Sequence, residues 1–194
     1  MALALEARAM KDDLMLGDTP KAIKLRKRLK DVKAAVRLWK HSTLADIDVM
    51  VTPQQMDDMF VLTLVRNLWG RMVSYYHWLQ TQTFQHDAMA LAQTASFTDF
   101  AQSDLIINSF RKTPAQHYMT DAAGTQRCNA YIRIEHFIKD AATLVDHLGF
   151  ELMLDHVNRS DRAQDYRTYY CEGSWSAAAA ACAVDIERFG YSFE

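Results

Sequence analysis

Arg66 and Ser74, eight residues apart, flank the point where one sequence pattern gives way to another. Residues 60–65, Phe-Val-Leu-Thr-Leu-Val, form an almost unbroken run of strand formers. The run predicts a strand buried on both faces, as in a parallel sheet. Asn67 can then cap a helix, and Val73, Tyr76 and Leu79 recur at helical spacing, which carries the helix to about Gln82. A strand end that turns straight into a helix presents free amide hydrogens and the positive end of the helix dipole to an anion. Arg66 adds a forked, charge-assisted donor. Helical side chains lean toward the N-terminus, which brings the Ser74 hydroxyl toward the same anion. Junctions with one arginine and one serine also occur where nothing binds, so both readings stand at this point.

The flanking sequence supplies the elements that must hold this junction. Residues 2–10 are rich in helix formers. Gly17-Asp18-Thr19-Pro20 is a turn with a helix entry, and Ile23, Leu25, Leu29, Val32 and Val36 give an imperfect apolar stripe that predicts a helix over 20–38. Thr52-Pro53-Gln54-Gln55 reads as a capped short helix leading into the strand. Residues 86–122 read as short helices and loops, with Ser96-Phe97-Thr98-Asp99 resembling a capping box that has aspartate in place of glutamate. Tyr131-Ile132-Arg133-Ile134 alternates as a short strand. A helix follows from Glu135 to Leu148 and is stopped by Gly149. Gly190, Tyr191 and Phe193 are expected to pack the C-terminus against the sheet.

The chain has 194 residues, 49% of them hydrophobic and 24% charged, with six glycines and three prolines. That composition is ordinary for one globular domain with a sizeable core. No apolar stretch approaches the length of a membrane span, and the N-terminus lacks the basic-then-apolar order of a signal peptide. Cys128, Cys171 and Cys182 show no metal-type spacing, and their odd, sparse count fits reduced thiols in a cytoplasmic protein. No His-Glu-x-x-His, Gly-x-Ser-x-Gly, dinucleotide or Walker glycine pattern occurs. The net charge of −2 is unevenly placed: residues 21–40 hold nine Lys or Arg and one acid, Asp31. That run is either a solvated basic helix face or a surface that steers a polyanion. Residues 21–38 contain no aromatic, which argues against single-stranded nucleic acid.

The segment Arg66-Asn67-x-x-x-Arg71-x-x-Ser74-x-Tyr76 resembles the 3′-phosphate-binding segment of sulfotransferases that use 3′-phosphoadenosine 5′-phosphosulfate (PAPS), in their bacterial or carbohydrate-type branch. Leu68 replaces the family's usual proline, and Gly70 stands where an acidic or polar residue is usual. The resemblance implies an α/β fold, a short and mainly parallel sheet flanked by helices, like the P-loop nucleotide-kinase-like sulfotransferase fold. It implies that Arg66 and Ser74 hold the 3′-phosphate of PAPS, with no metal. Lys40 and His41 lie upstream at about the distance at which the family places a Lys/His strand end. There the histidine is the general base and the lysine contacts the transferring sulfuryl group. Imidazole titrates near neutral pH and can take the proton of an attacked hydroxyl, and an ammonium can stabilise charge on the bridging oxygen. The competing reading makes His41 a helix-entry residue beside the cap candidates Ser42 and Thr43.

Two later stretches extend the resemblance. Arg133-x-Glu135-x-Phe137 resembles a family segment in which the glutamate is structural. Residues 158–170 and 185–193 resemble the tail of bacterial carbohydrate-type members, in which a loop carrying arginines closes over the nucleotide. Arg159 and Arg162 are nucleotide-contact candidates on that basis; pairing with Asp161 and Asp165 is the alternative. The family's 5′-phosphosulfate loop, Pro-Lys-Thr-Gly-(Gly/Ser)-(Thr/Ser), has no counterpart in the sequence, Thr19-Pro20-Lys21-Ala22 being a poor match. The expectation is therefore a single sulfotransferase-like domain over 1–194, truncated at its N-terminus relative to the family and lacking its first strand. The expected reaction is transfer of a sulfuryl group from PAPS to a hydroxyl or amine, on a small-molecule or carbohydrate acceptor. The alternative is an inactive, sulfotransferase-like nucleotide-binding or interaction protein. Nucleic acid is not an expected partner, and a homo-oligomer is left open.

Overall fold

The computed structural model describes residues 1–154 and 162–193. Among them the chain is an α/β protein, mostly helical, with a short two-stranded parallel sheet flanked by helices. The described residues fall into two compact units: one from 1–64, 116–132 and 136–154, the other from 65–115, 133–135 and 162–193.

The first unit carries α1 (Ala2–Arg8), α2 (Pro20–Arg26) and α3 (Pro53–Asp57), most of the sheet, and α9 (Phe137–Asp140) with α10 (Ala142–Leu148). Strand β1 (Leu62–Val65) pairs with β2 (Ala130–Arg133), and the Val61 carbonyl accepts from the Asn129 and Ala130 amides at the start of the ladder. The core of this unit is Ile132, Ala141 and Leu144, with Phe60, Leu62, Leu64, Phe137 and Leu148 packed on it. Residues 62–64 are only partly buried, which corrects the expectation of a strand covered on both faces. With two strands among the described residues, each is an edge and lacks the second neighbour that helps bury the strands of a larger parallel sheet.

Helix α2 is also shorter than the apolar stripe predicts. It gives way to a 3₁₀ turn at Lys27–Leu29, and residues 32–39 carry no regular helix. Between residues 21 and 38 only Ala22 is buried, while Ile23 and Val36 stand exposed. A helix draws most of its stability from packing an apolar face, and this stripe has little to pack against. The local signals do hold. The Thr19 hydroxyl accepts from the Ala22 amide, and Thr52 and Gln55 form a full capping box. The helix predicted over 135–148 is interrupted at Ala141, then ends as expected at Gly149 in the left-handed region (φ +71°).

A turn in the first unit is fixed by one carboxylate. Asp121 Oδ1 accepts from the Ala123 and Thr125 amides at 3.0 and 2.8 Å, and Oδ2 accepts from Arg127 Nε. Arg127 also reaches Asp57, and Gly124 takes the positive φ that the turn requires. The Arg127 hydrogen bond and the amide hydrogen bonds hold the Asp121 carboxyl below the usual carboxylate range. The folded state therefore binds this proton more weakly than the unfolded chain. The stabilisation is complete above the ordinary aspartate value and is lost as pH falls through the lowered one. Urea midpoints measured between pH 7 and pH 3 should drop on the acid side, and Asp121→Asn should flatten that drop.

The second unit is built on α4 (Leu68–Gln80), with α5 (Asp87–Thr94), α6 (Phe97–Gln102), α7 (Asp104–Lys112) and α11 (Glu172–Ala181) around it. Helix α12 (Ala183–Phe189) follows α11, while α8 (Ala115–Tyr118), next after α7 in the chain, belongs from Gln116 onward to the first unit. The core is Leu68, Met72, Val73 and Leu79 of α4 against Phe97, Phe100, Ile106, Phe110 and the small residues Ala178 and Ala181. Ser96 accepts from the Asp99 amide, but Asp99 bonds the Ser96 hydroxyl rather than the backbone, so the predicted capping box forms only in half. The C-terminus corrects another expectation. Phe193 packs on Trp69, Tyr166, Tyr170 and Trp175, an aromatic cluster between helices, and not on the sheet. Aromatic rings offer it more apolar contact than a half-covered two-stranded sheet does.

Among the described residues no helix is long and apolar enough to cross a membrane, and no three His, Cys, Asp or Glu side chains gather as a metal-binding group.

Candidate functional site

The turn from β1 into α4 forms as its residues dictate. Asn67 is the helix cap: its Oδ1 accepts from both the Trp69 and Gly70 amides at 3.1 Å, and its carbonyl accepts from Arg71. Its own amide donates to Glu135 Oε1 at 2.8 Å. Glu135 Oε2 accepts in turn from the Tyr191 hydroxyl, which fits the structural role expected of it. The first-turn amides offered to an anion in the sequence reading are thus largely taken by the helix's own cap. An anion at this junction would be met by side chains and by what remains of the dipole.

Those side chains are cationic. Arg66 is half buried beside the first turn of α4; a Cβ added at Gly70 would lie 3.8 Å from its Nε and 3.5 Å from Tyr166. Burial and the nearby charge of Arg162 push the Arg66 pKa down, against the pull of Glu135. The structure thus brings Arg66 and Arg162 into one electrostatic neighbourhood within the second unit. The carboxylate near them already serves Asn67 and Tyr191. Arg162 makes no ion pair among the described residues, and Asp165 is engaged by the Arg167 guanidinium and amide. Of the two carboxylates offered as alternative partners, Asp165 is thus taken by Arg167 and makes no ion pair with Arg162. Arg159 and Asp161 lie outside the described residues.

Gly70, Ser74 and His77 recur at i, i+4 and i+7 along α4 and share one face. Ser74 is half buried, and its hydroxyl has no hydrogen-bond partner among the described residues. His77 lies edge-on to Tyr169 at 5.2 Å, its Nε2 is buried with no hydrogen-bond partner among the described residues, and burial followed by the charge of Arg162 lowers its pKa. Sequence reasoning passed over His77. Its place one turn beyond Ser74 was the signal that could have found it. The second arginine of the segment, Arg71, points elsewhere, with its guanidinium 4.9 Å from the Phe110 ring centre. Tyr76 is buried and donates to the Ala95 carbonyl.

Gly70 needs no left-handed backbone, and an added Cβ would meet its neighbours at ordinary van der Waals distance. Gly70→Ala should therefore raise stability by about 0.5–1 kcal/mol through helix propensity. Equal or lower stability in urea unfolding would mean that the added methyl disturbs Tyr166 or Arg66.

Lys40 and His41 belong to the first unit. They sit in a turn rather than at a strand end. The Ser42 Oγ accepts from the Trp39 amide, and Thr43 and Asp46 exchange reciprocal bonds across the entry to the 3₁₀ turn Ala45–Ile47. Lys40 pairs with Asp18 at 2.9 Å. His41 lies edge-on to Trp39 with ring centres 4.7 Å apart, and burial, then the neighbouring Lys40 charge, lowers its pKa. At neutral pH its ring is thus neutral and able to accept a proton. Much of the basic run serves the fold as well. Lys21 donates to the Glu6 and Ala9 carbonyls at the end of α1, Arg28 to the Lys11 carbonyl, and Arg26 pairs with Asp18.

Compared with protein-family models, with curated proteins and with solved structures, the chain matches none.

Proposed function

We propose that the second unit binds the 3′-phosphate of PAPS through Arg66 and Arg162, with the Ser74 hydroxyl as a further donor, and that the chain is a sulfotransferase. One observation carries this reading. The half-buried Arg66 guanidinium lies within the field of the Arg162 charge, and the Glu135 carboxylate that also acts on it is already engaged by Asn67 and Tyr191. Like charges held together in a partly desolvated place favour a ligand of opposite sign. A phosphate ester suits a guanidinium fork.

In the reaction proposed, an acceptor oxygen or nitrogen attacks sulfur in line. The bond between sulfur and the bridging 5′-phosphate oxygen breaks, adenosine 3′,5′-bisphosphate departs, and the acceptor proton passes to a base. His41 is the proposed base and Lys40 the group that offsets charge on the bridging oxygen. The acceptor is proposed to be a hydroxyl or amine, on a carbohydrate or another small molecule.

The pairing of Lys40 with Asp18 favours a second reading, a protein that binds the nucleotide without transferring sulfate, because the ammonium is already occupied. Incubation with ³⁵S-labelled PAPS and a panel of saccharide, phenol and amine acceptors separates the two. Label in any acceptor supports transfer. Saturable nucleotide binding without label in the panel supports the second reading, and neither result leaves both without support.

A further inference from the structure

The first unit holds an open cavity of about 430 Å³ lined by Val36, Arg37, Trp39 and Asp46. That volume is within the usual range for small-molecule sites. Its chemistry is mixed. Val36 and Trp39 are exposed apolar groups, at 49% and 46% of their surface. Arg37 supplies a guanidinium and Asp46 a carboxylate. These opposite charges do not form an ion pair with each other, and Arg37 has no hydrogen-bond or ion-pair partner among the described residues. Asp46 accepts the Thr43 amide through Oδ2, with no partner at Oδ1 among the described residues.

Two of the four lining residues, Trp39 and Asp46, are held in place. The Trp39 amide donates to Ser42 Oγ, the Ser42 amide donates to the Trp39 carbonyl, and the His41 ring props the indole edge-on. The Thr43–Asp46 pair holds the carboxylate side. A cavity that keeps an unpaired cation, an anion and an apolar wall apart is complementary to a molecule carrying the same three features with opposite charges.

We propose that this cavity binds a free α-amino acid with a bulky apolar side chain. The α-carboxylate meets Arg37 in the geometry guanidinium favours, the α-ammonium meets Asp46, and the side chain lies on Val36 and the Trp39 indole, where a cation or ring also gains from the π face. Neither Arg66 nor Ser74 takes part, so the inference is separate from the proposed 3′-phosphate site, although His41, the proposed base, touches the Trp39 indole.

The test is a titration of the ¹⁵N-labelled full chain with L-phenylalanine, read at the Trp39 indole N–H resonance. Two analogues run beside it: phenethylamine, which lacks the carboxylate, and 3-phenylpropionate, which lacks the ammonium. The expected result is a saturable shift with L-phenylalanine, at least fivefold weaker binding of each analogue, and at least fivefold weaker binding by Arg37→Ala. Arg37 is exposed and without a partner among the described residues, so its replacement spares the fold, which the rest of the spectrum verifies. Arg66→Ala should leave the titration unchanged. No saturable shift, analogues that bind as well as the amino acid, or an Arg37→Ala chain that binds normally would each overturn the proposal.

Discussion

Arg66→Ala should weaken binding of adenosine 3′,5′-bisphosphate by roughly 10- to 150-fold in isothermal calorimetry. The size follows from removing one charged hydrogen-bonding partner, worth about 1.5–3 kcal/mol where the group is partly withdrawn from water. Arg66 is half buried beside the start of α4, next to Gly70 and within the field of Arg162. Its loss also relieves the repulsion between the two guanidinium groups, so the variant should be folded and no less stable than the parent. A folding defect as the cause of lost binding is therefore checked by the same urea curve. Arg66→Lys keeps the charge but not the fork and should fall between the two. If Arg66→Ala binds as tightly as the parent, the phosphate is held elsewhere or not at all.

Phe100→Ala should cost about 3–5 kcal/mol of stability, the range for emptying an aromatic site in a packed core. Phe100 of α6 is fully buried and lies against Tyr75 and Tyr76 of α4, with ring centres 6.2 and 5.1 Å away. It sits where α4, α6 and α11 share one core, so the cavity left behind has little freedom to collapse. Against a total stability of about 5–15 kcal/mol for a typical domain, that loss moves the urea midpoint far to lower concentration. Ile138→Ala is the contrast: Ile138 is 94% exposed, and its replacement should stay within about 0.5 kcal/mol. Similar losses for the two variants would show that the buried cluster does not carry the stability.

Local chemistry was legible in the sequence. Thr19, Thr52 and Asn67 each cap the helix that follows, because a short polar side chain next to a helix start satisfies amides within its own turn. The passage from β1 into α4 follows from the same logic and from the change of period at Arg66. What depended on distant packing was not legible. The stripe in residues 20–38 has the spacing of a helix, but nothing buries most of it, and spacing alone cannot say so. The apolar run at 60–65 marks a strand but not how many strands lie beside it.

The site divides along the same line. Arg66 and Ser74 could be picked out by type and spacing, whereas the competition for the α4 amides could not. Asn67 closes that turn by itself, and Glu135, from a remote stretch, takes the Asn67 amide. The approach of Arg162 to Arg66 is equally non-local. The pairing of Asp165 with Arg167, two residues on, was within reach of sequence reasoning, and it takes Asp165 away from Arg162.

The most direct measurement is calorimetry of the full chain with adenosine 3′,5′-bisphosphate and with adenosine 5′-monophosphate, which differ only in the 3′-phosphate. A face that grips that phosphate through Arg66 and Arg162 predicts at least tenfold tighter binding of the bisphosphate, and a preference that vanishes in Arg66→Ala. Equal affinity for the two nucleotides, or no saturable heat with either, would contradict it.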